Sequence, residues 1–234
     1  MRTLLRSSLL ALAAAAGMHA PLLAQFGDPD RVIPNGGIYV SPWMGVIDNQ
    51  SKGQGRKLED ARFAQEGNAY HITTGPATTY WDPKTRLTGD YEVRATFTEP
   101  KYMNLNSHPH SYGIVIAGNK MGTSNQSLLY CAAYGDGTFI VRGFGPGPFQ
   151  MNGRDPQPNP AVHKAAGVGE PVTQEIAWTV RGGRAECSIN GTVVAAYDRA
   201  ELVAPGKLES TDGVIGLRFT HNVEAVVGPI TVKP

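Results

Sequence analysis

Short apolar or alternating runs recur along the chain from Ile38 onward, and glycine-containing turns separate them. Runs of this length that are rich in valine, isoleucine, threonine and tyrosine are typical of β-strands. The only helical pattern beyond the N-terminal segment is one turn at residues 198–202, where Glu201 can bond back to Asp198. The predicted strands are residues 70–74, 91–98, 112–117, 128–134, 138–144, 173–180, 185–189, 192–197, 214–220 and 223–232.

Two of the separating turns carry dipeptides that favour tight β-hairpins, Asp136-Gly137 and Asn190-Gly191. A type I′ turn needs positive φ at both central residues, which Asn, Asp and Gly adopt most readily. About ten strands without helices between them predict an all-β fold, a two-layer antiparallel β-sandwich.

The first residues have the pattern of a secretory signal peptide. Arg2 and Arg6 precede an apolar stretch at residues 9–16, and small residues follow up to Ala24. The apolar stretch is much shorter than the ~20 residues that span a bilayer, so no transmembrane segment is predicted. We expect the mature protein to be secreted or periplasmic. The expected divisions are a signal peptide at 1–24, an extended lead-in at 25–42 and a single domain at 43–234.

Composition and charge narrow the classes of function. Glycine and proline contribute 28 and 17 of the 234 residues, which favours strands and turns over helices. Without Arg2 and Arg6, the 21 basic residues fall to 19 against 20 acidic residues. Electrostatic attraction to nucleic acid therefore has no source, and no nucleic-acid partner is expected.

Several short motifs occur in an order that resembles a known family. They include Tyr80-Trp81, Gly89-Asp90-Tyr91, His108-Pro109, Tyr112-Gly113, and Gly216-Leu217-Arg218 before His221-Asn222. This order is similar to that of secreted bacterial proteins related to the 3-keto-disaccharide hydrolase domain, over roughly residues 43–232. The resemblance implies a concanavalin A-like jelly roll, shared with laminin G-like modules. The resemblance does not identify which residues of this chain would be catalytic.

Aromatic and cationic residues on the predicted strands are the best candidate ligand contacts, because sugars pack on aromatic faces and bond to charged or amide groups. Arg142 and Arg218 interrupt apolar strands, so each points either to solvent and ion pairs or into a polar groove. With the topology that the resemblance implies, a carbohydrate or glycoconjugate would lie on the concave face of the sandwich. The expected contacts are His110, Tyr112, Tyr130, Arg142, Arg218 and His221.

His108 and His110 raise the question of a metal site, since imidazoles bind metals and transfer protons near neutral pH. No carboxylate occurs between Lys101 and Gln126 to complete such a site. A structural role or a sugar contact is therefore favoured over a metal, and we expect no metal and no other cofactor.

Asp90 and Glu92 have the i, i+2 spacing that places two carboxylates on one strand face, as in retaining glucanases. The third carboxylate of the usual glucanase pattern is absent, and Asp90 follows a turn glycine. Because Asp at such a position normally bonds to backbone, a structural role is favoured.

Cys131 and Cys187 each lie inside a predicted strand. In an exported protein they can form a disulfide, yet the apolar setting of Cys131 suits a small buried side chain equally well. Both alternatives stay open at this stage.

The least regular segment, residues 145–169, contains five prolines. Proline lowers the entropy that is lost on ordering, so we expect a stiff segment that forms a wall of the groove.

Three functions remain open. Carbohydrate binding without catalysis is favoured. The resemblance implies a hydrolase or lyase acting on 3-keto-glycosides, so enzymatic activity is undecided. A noncatalytic structural subunit of an envelope complex would need a large exposed apolar patch.

Overall fold

The computed structural model describes residues 28–234, and the predicted signal peptide lies outside this range. Its helical segments are α1 (Asn49–Gly53), a 3₁₀ turn (Leu58–Asp60) and α2 (Arg199–Leu202). The strands in chain order are β1 (Gly37–Ile38), β2 (Met44–Ile47), β3 (Arg62–Glu66), β4 (Ala69–Thr73), β5 (Thr78–Leu87), β6 (Tyr91–Glu99), β7 (Ser111–Asn119), β8 (Ser127–Tyr134), β9 (Thr138–Phe144), β10 (Pro148–Gln150), β11 (Gln157–Pro158), β12 (Val172–Arg181), β13 (Arg184–Ile189), β14 (Thr192–Asp198), β15 (Gly213–Phe219), β16 (Glu224–Val227) and β17 (Thr231–Lys233).

The strands form two sheets. Sheet A has the order β1-β3-β4-β16-β6-β12-β13-β14, with β17 also paired to β6. Sheet B has the order β10-β9-β8-β7-β15-β5-β2, with β11 also paired to β9. The pair of β1 with β3 is parallel, whereas strands within sheet B pair antiparallel. The predicted all-β class, a two-layer jelly-roll sandwich, is confirmed.

The sequence pattern missed several strands, of which β5 is the longest. Pro83 lies inside β5, and the pairing of β15 with β5 changes register between Val214 and Gly216. Opposite this irregularity, the Asp82 carboxylate accepts hydrogen bonds from the Lys84 amide and the Thr85 hydroxyl. A proline is tolerated in a strand where the ladder is interrupted, but it hides the alternating pattern.

Two local predictions about helices had different outcomes. The turn at α2 is confirmed, and the Asp198 amide donates to the Glu201 carboxylate at 2.8 Å. The expectation of no other helical turn was wrong, because α1 and the 3₁₀ turn also form. Neither has the length at which an apolar period becomes visible in a sequence.

The two tight turns also differ. Asn190 and Gly191 have φ of 50° and 80°, so the type I′ prediction is confirmed between β13 and β14. At the other turn Gly137 has φ of 91°, but Asp136 is not among the residues with positive φ. The Asp136 carboxylate instead accepts from the Thr138 amide and hydroxyl, which stabilises a different connection.

The core lies between the two sheets and contains large buried side chains, including Trp178, Phe97, Tyr80 and Phe219. The Trp178 indole donates to the Ile114 carbonyl of the opposite sheet at 3.2 Å.

A disulfide also joins the sheets, because Cys131 of β8 is bonded to Cys187 of β13. The structure therefore decides between the two alternatives left open for the cysteines.

Residues 28–36 pack along the sandwich before β1 begins. The Arg31 amide donates to the Asn222 side chain at 3.0 Å, and the Ile33 amide donates to the Asp60 carbonyl at 3.1 Å. Within residues 28–234, no helix is both long and apolar enough to cross a membrane.

Candidate functional site

The outer face of sheet B carries side chains that do not belong to the core between the sheets. Along β8, Leu129 and Cys131 point into that core, whereas Tyr130 belongs to a second cluster on the opposite face. Tyr130 pairs in register with Arg142 of β9, and Arg142 pairs with Gln150 of β10. Strand alternation thus places these three residues side by side on one surface.

Arg218 of β15 lies on the same face and is 3% exposed. Its two terminal nitrogens donate to the Asp48 carboxylate oxygens at 2.7 and 2.6 Å, and one of them also bonds to Thr79 at 3.1 Å. Burial alone would lower the pKa of Arg218, but the charge and hydrogen bonds of Asp48 outweigh it and raise that pKa. A bidentate pair of this kind fixes the positions of both side chains.

Two aromatic rings flank the Arg218 guanidinium. Its central carbon lies 5.6 Å from the Tyr130 ring centre and 5.5 Å from the Phe144 ring centre. The rings themselves are stacked, with centres 6.3 Å apart. Tyr130 is buried, whereas Phe144 is half-buried and remains accessible from outside.

A pocket of about 320 Å³ opens over these residues. We call it the sheet B groove. Four of the six predicted contacts, Tyr130, Arg142, Arg218 and His221, lie in its wall although they come from distant parts of the chain. The other side chains used below that line it are Asp48, Phe144, Pro148 and Gln150.

The remaining two predicted contacts lie elsewhere. Tyr112 points into the core and stacks on Phe97 with ring centres 5.7 Å apart, so it does not reach the sheet B groove. The prediction placed it on the wrong face because strand residues alternate in direction and the register was unknown. His110 is also buried, but it contacts His221 at the end of the groove.

His108, His110 and His221 form a histidine cluster in which one nitrogen from each ring lies within 4.8 Å of the others. The Nε2 atoms of His108 and His110 are 2.9 Å apart. Burial, together with the imidazoles of His221 and His108, lowers the pKa of His110 to about 4. The His110 ring is therefore neutral near pH 7.

Carboxylates adjoin the cluster, although none occurs near His108 in the sequence. Asp30 accepts from His221 Nδ1 at 2.9 Å, and Asp28 accepts from the Ser107 amide. A second pocket of about 460 Å³ is lined by both of these aspartates, by Asp48 and by His108 and His221. Asp48 and His221 thus line both pockets.

The sequence prediction missed Asp28, Asp30 and Asp48. One signal for Asp48 was present, because an arginine in an apolar strand needs a carboxylate partner if it is buried. With 20 acidic residues in the chain, nothing in the sequence identified which one.

The glucanase-like pair, Asp90 and Glu92, lies away from the groove. Asp90 accepts from the Gly182 amide, and Glu92 bonds to Arg94 on β6 of sheet A. These contacts support the structural role that the sequence favoured.

The proline-rich segment runs along the edge of sheet B. It contributes β10 and β11, both paired with β9, and Pro148 and Gln150 line the sheet B groove. It therefore forms a wall of the groove, as the sequence predicted.

No protein-family model and no curated protein matches this chain. The chain is similar to a solved Bacillus subtilis protein of unknown function with a galectin-like fold, at 15% identity and a TM-score of 0.54, covering 89% of this chain and 94% of the other. It is also similar to an endo-β-1,3-glucanase from Pyrococcus furiosus, at 13% identity and a TM-score of 0.50, covering 84% and 90%. At these identities the similarity establishes the jelly-roll fold, and the resemblance to the 3-keto-disaccharide hydrolase domain stays a prediction.

Proposed function

We propose that the protein recognises a carbohydrate or glycoconjugate in the sheet B groove. The observation that carries this proposal is the convergence of Tyr130, Arg142, Arg218 and His221, which lie on separate strands and loops, in the wall of one pocket. A groove with aromatic surface and a few fixed polar groups suits a ligand that has both C–H faces and hydroxyls.

Phe144 and Arg142 are the side chains best placed to contact such a ligand. Phe144 is half-buried and lines the groove, so its accessible surface can take the apolar face of a sugar ring. Arg142 is half-buried, lines the groove and donates from one terminal nitrogen to the Arg154 carbonyl, which holds its guanidinium in the wall. A guanidinium has five N–H donors and no acceptor, so it suits an oxygen-rich ligand.

Arg218 has a different role in this proposal. Its two terminal nitrogens are committed to Asp48, so it holds the groove wall in place and has little capacity for direct ligand contacts. Arg142 therefore provides the more informative binding test.

The test is a glycan array with the purified protein, followed by calorimetric titration of the best ligand. Arg142→Ala and Phe144→Ala should each weaken binding by roughly 1 to 3 kcal/mol, or about five- to 150-fold. Arg94→Ala and Tyr39→Ala are matched controls, because Arg94 forms ion pairs on sheet A and Tyr39 is exposed outside the groove. Wild-type affinity in both groove variants, or no ligand on the array, would contradict the proposal.

A second candidate is hydrolysis or elimination of a 3-keto-glycoside at the end of the same groove. The observation that favours it is the contact of Asp30 with His221, which brings a carboxylate and an imidazole together beside the groove. Such a pair can transfer protons near neutral pH. Incubation with 3-keto-disaccharides and with the parent disaccharides, followed by assay of released sugar, distinguishes catalysis from binding.

In that assay Asp30→Asn should abolish release, and the exposed Asp155→Asn serves as its control. Absence of release from every oxidised disaccharide would contradict this second candidate. Release that persists in Asp30→Asn would exclude Asp30 from the reaction.

We further propose that the protein works in the periplasm or outside the cell. The N-terminal pattern and the disulfide between Cys131 and Cys187 support this, because structural disulfides persist in oxidising compartments. Cell fractionation with an antibody against the native protein tests it, and recovery of the disulfide-bonded form from the cytoplasm would contradict it.

A further inference from the structure

The histidine cluster is held by hydrogen bonds that determine which ring nitrogens are free. His110 Nδ1 contacts the His221 carbonyl oxygen, and a carbonyl can only accept, so this nitrogen carries the hydrogen. In the neutral ring, Nε2 of His110 therefore presents a lone pair. This lone pair accepts a hydrogen bond from Nε2 of His108 at 2.9 Å, and an ion bound between the two rings would replace that hydrogen bond.

His221 is fixed in the same manner. Its Nδ1 lies 2.9 Å from an Asp30 carboxylate oxygen, and the other oxygen of Asp30 accepts from the Ser51 hydroxyl at 2.5 Å. The carboxylate accepts the Nδ1 hydrogen, so Nε2 is the nitrogen of His221 that a metal ion could bind. Metal-binding histidines characteristically have one nitrogen bonded to a carboxylate or a backbone carbonyl in this way.

We infer that His108, His110 and His221 form a binding site for one divalent transition-metal ion of the zinc class. Three imidazole ligands suit Zn²⁺, Co²⁺ or Ni²⁺, whereas Ca²⁺ and Mg²⁺ require oxygen ligands. In a tetrahedral site with metal–nitrogen bonds near 2.0 Å, ligand nitrogens lie about 3.4 Å apart. One nitrogen pair of the cluster is 2.9 Å apart and the three ligand nitrogens lie within 4.8 Å of one another, so small movements of the rings would reach this separation.

The burial of the three rings indicates how the site would form. His110 is buried and His221 is half-buried, and their rings stack with centres 4.2 Å apart, so one of these two rings must turn before both can direct a nitrogen at one ion. His108 is exposed, and rotation of its side chain can bring its nitrogen to the ion without disturbing the core. His221 lies 111 residues from His110 in sequence, so the site exists only in the folded chain.

Three ligands leave the fourth tetrahedral position open, which is the arrangement of reactive rather than structural zinc sites. His108 and His221 line the second pocket together with Asp28 and Asp48, so a small oxygen ligand such as water has access there. The proposal concerns the metal itself and does not depend on sugar binding in the sheet B groove.

The test uses tag-free protein, since an affinity tag of histidines would bind the same ions. The protein is treated with EDTA, exchanged into metal-free buffer and titrated with Zn²⁺ by calorimetry and with Co²⁺ by visible absorption. We expect saturation at one ion per chain, a tetrahedral Co²⁺ spectrum, and no comparable binding of Ca²⁺ or Mg²⁺.

The decisive variants are His108→Ala and His221→Ala, which should each weaken Zn²⁺ binding at least tenfold. Asp30→Asn should weaken it by about 10- to 100-fold through the His221 contact alone. His71→Ala and His163→Ala are the matched controls, because both histidines lie outside the cluster, and they should bind as the wild type does. Thermal unfolding of each apo variant verifies that it is folded, and His108→Ala is the mildest change because that ring is exposed.

The inference is overturned if the wild type shows no saturable binding of Zn²⁺ or Co²⁺. It is equally overturned if folded His108→Ala and His221→Ala bind Zn²⁺ with wild-type affinity.

Discussion

Arg218 and Asp48 lie 170 residues apart in sequence and form a bidentate ion pair in the wall of the sheet B groove. The Arg218 side chain is 4% exposed and that of Asp48 is 30% exposed. The pair attaches the residue before α1 to β15 of sheet B, and Asp48 lines both the sheet B groove and the second pocket. One long-range contact therefore shapes both candidate sites.

We predict that Arg218→Ala lowers the free energy of unfolding by roughly 3 kcal/mol. The reason is that the variant leaves the half-buried Asp48 carboxylate without its charge partner and also removes the packing of the buried Arg218 side chain. Urea unfolding measures the change. The double variant Asp48→Asn with Arg218→Met leaves no unpaired charge and should lose less stability than Arg218→Ala alone. If the single variant loses under about 1 kcal/mol, the pair behaves as an exposed salt bridge and the prediction is wrong.

The disulfide should contribute substantially to stability, because it closes a long loop between the two sheets. Cys131 and Cys187 are separated by 56 residues, for which restriction of the unfolded chain corresponds to about 4 kcal/mol. The double variant Cys131→Ala with Cys187→Ala should lose stability of this order in urea.

The location of the disulfide gives a second test. Both cysteines are fully buried, so a reductant should act on the native protein only as fast as the protein unfolds. Thiol labelling detects the reduction. Rapid reduction by dithiothreitol under native conditions would contradict this prediction, because it would require solvent access to the disulfide in the folded protein.

Glu99 should make stability depend on pH. The residue is 2% exposed and lies near Tyr102 and Tyr112. Its carboxylate accepts one hydrogen bond from the Met103 amide, and its Oε2 has no partner among the described residues. Burial raises the pKa of Glu99 from 4.5 to about 7. Between these values the folded state binds one more proton than the unfolded state, so stability falls as the pH rises through this window.

Above pH 7 the free energy of unfolding of the wild type is lower by about 3 kcal/mol than it is below pH 4.5, as far as Glu99 contributes to it. Glu99→Gln has no proton to lose, and we expect it to gain stability relative to the wild type as the pH rises from 4.5 to 7.5. Urea unfolding at several pH values measures this gain, and Glu224→Gln on the neighbouring β16 is the control. Parallel pH profiles for the wild type and Glu99→Gln would contradict the assignment.

Most of the longer strands and one tight turn could be predicted from the sequence because their causes are local. β9 occupies residues 138–144 as its pattern predicted, and Asn190 with Gly191 adopts the turn that their φ preferences favour. The single turn of α2 was predictable for the same reason, since Asp198 and Glu201 are three residues apart. β5 was hidden because a proline and a register shift break its alternation.

Most of the candidate site depends on contacts that no local pattern records. Strand alternation restricts a residue to one of two faces, but which face borders the core depends on the register of the strands. The prediction therefore placed Tyr112 in the groove although it lies in the core, whereas Tyr130 does lie on the groove side. The sequence by itself determined that the chain would form a β-sandwich with cationic and aromatic residues on its strands. Only the tertiary structure decided that Asp48 would neutralise Arg218 and that His221 and Asp30 would join His108 and His110. The free energy of those contacts comes from burial and charge pairing across more than a hundred residues, which the local sequence does not encode.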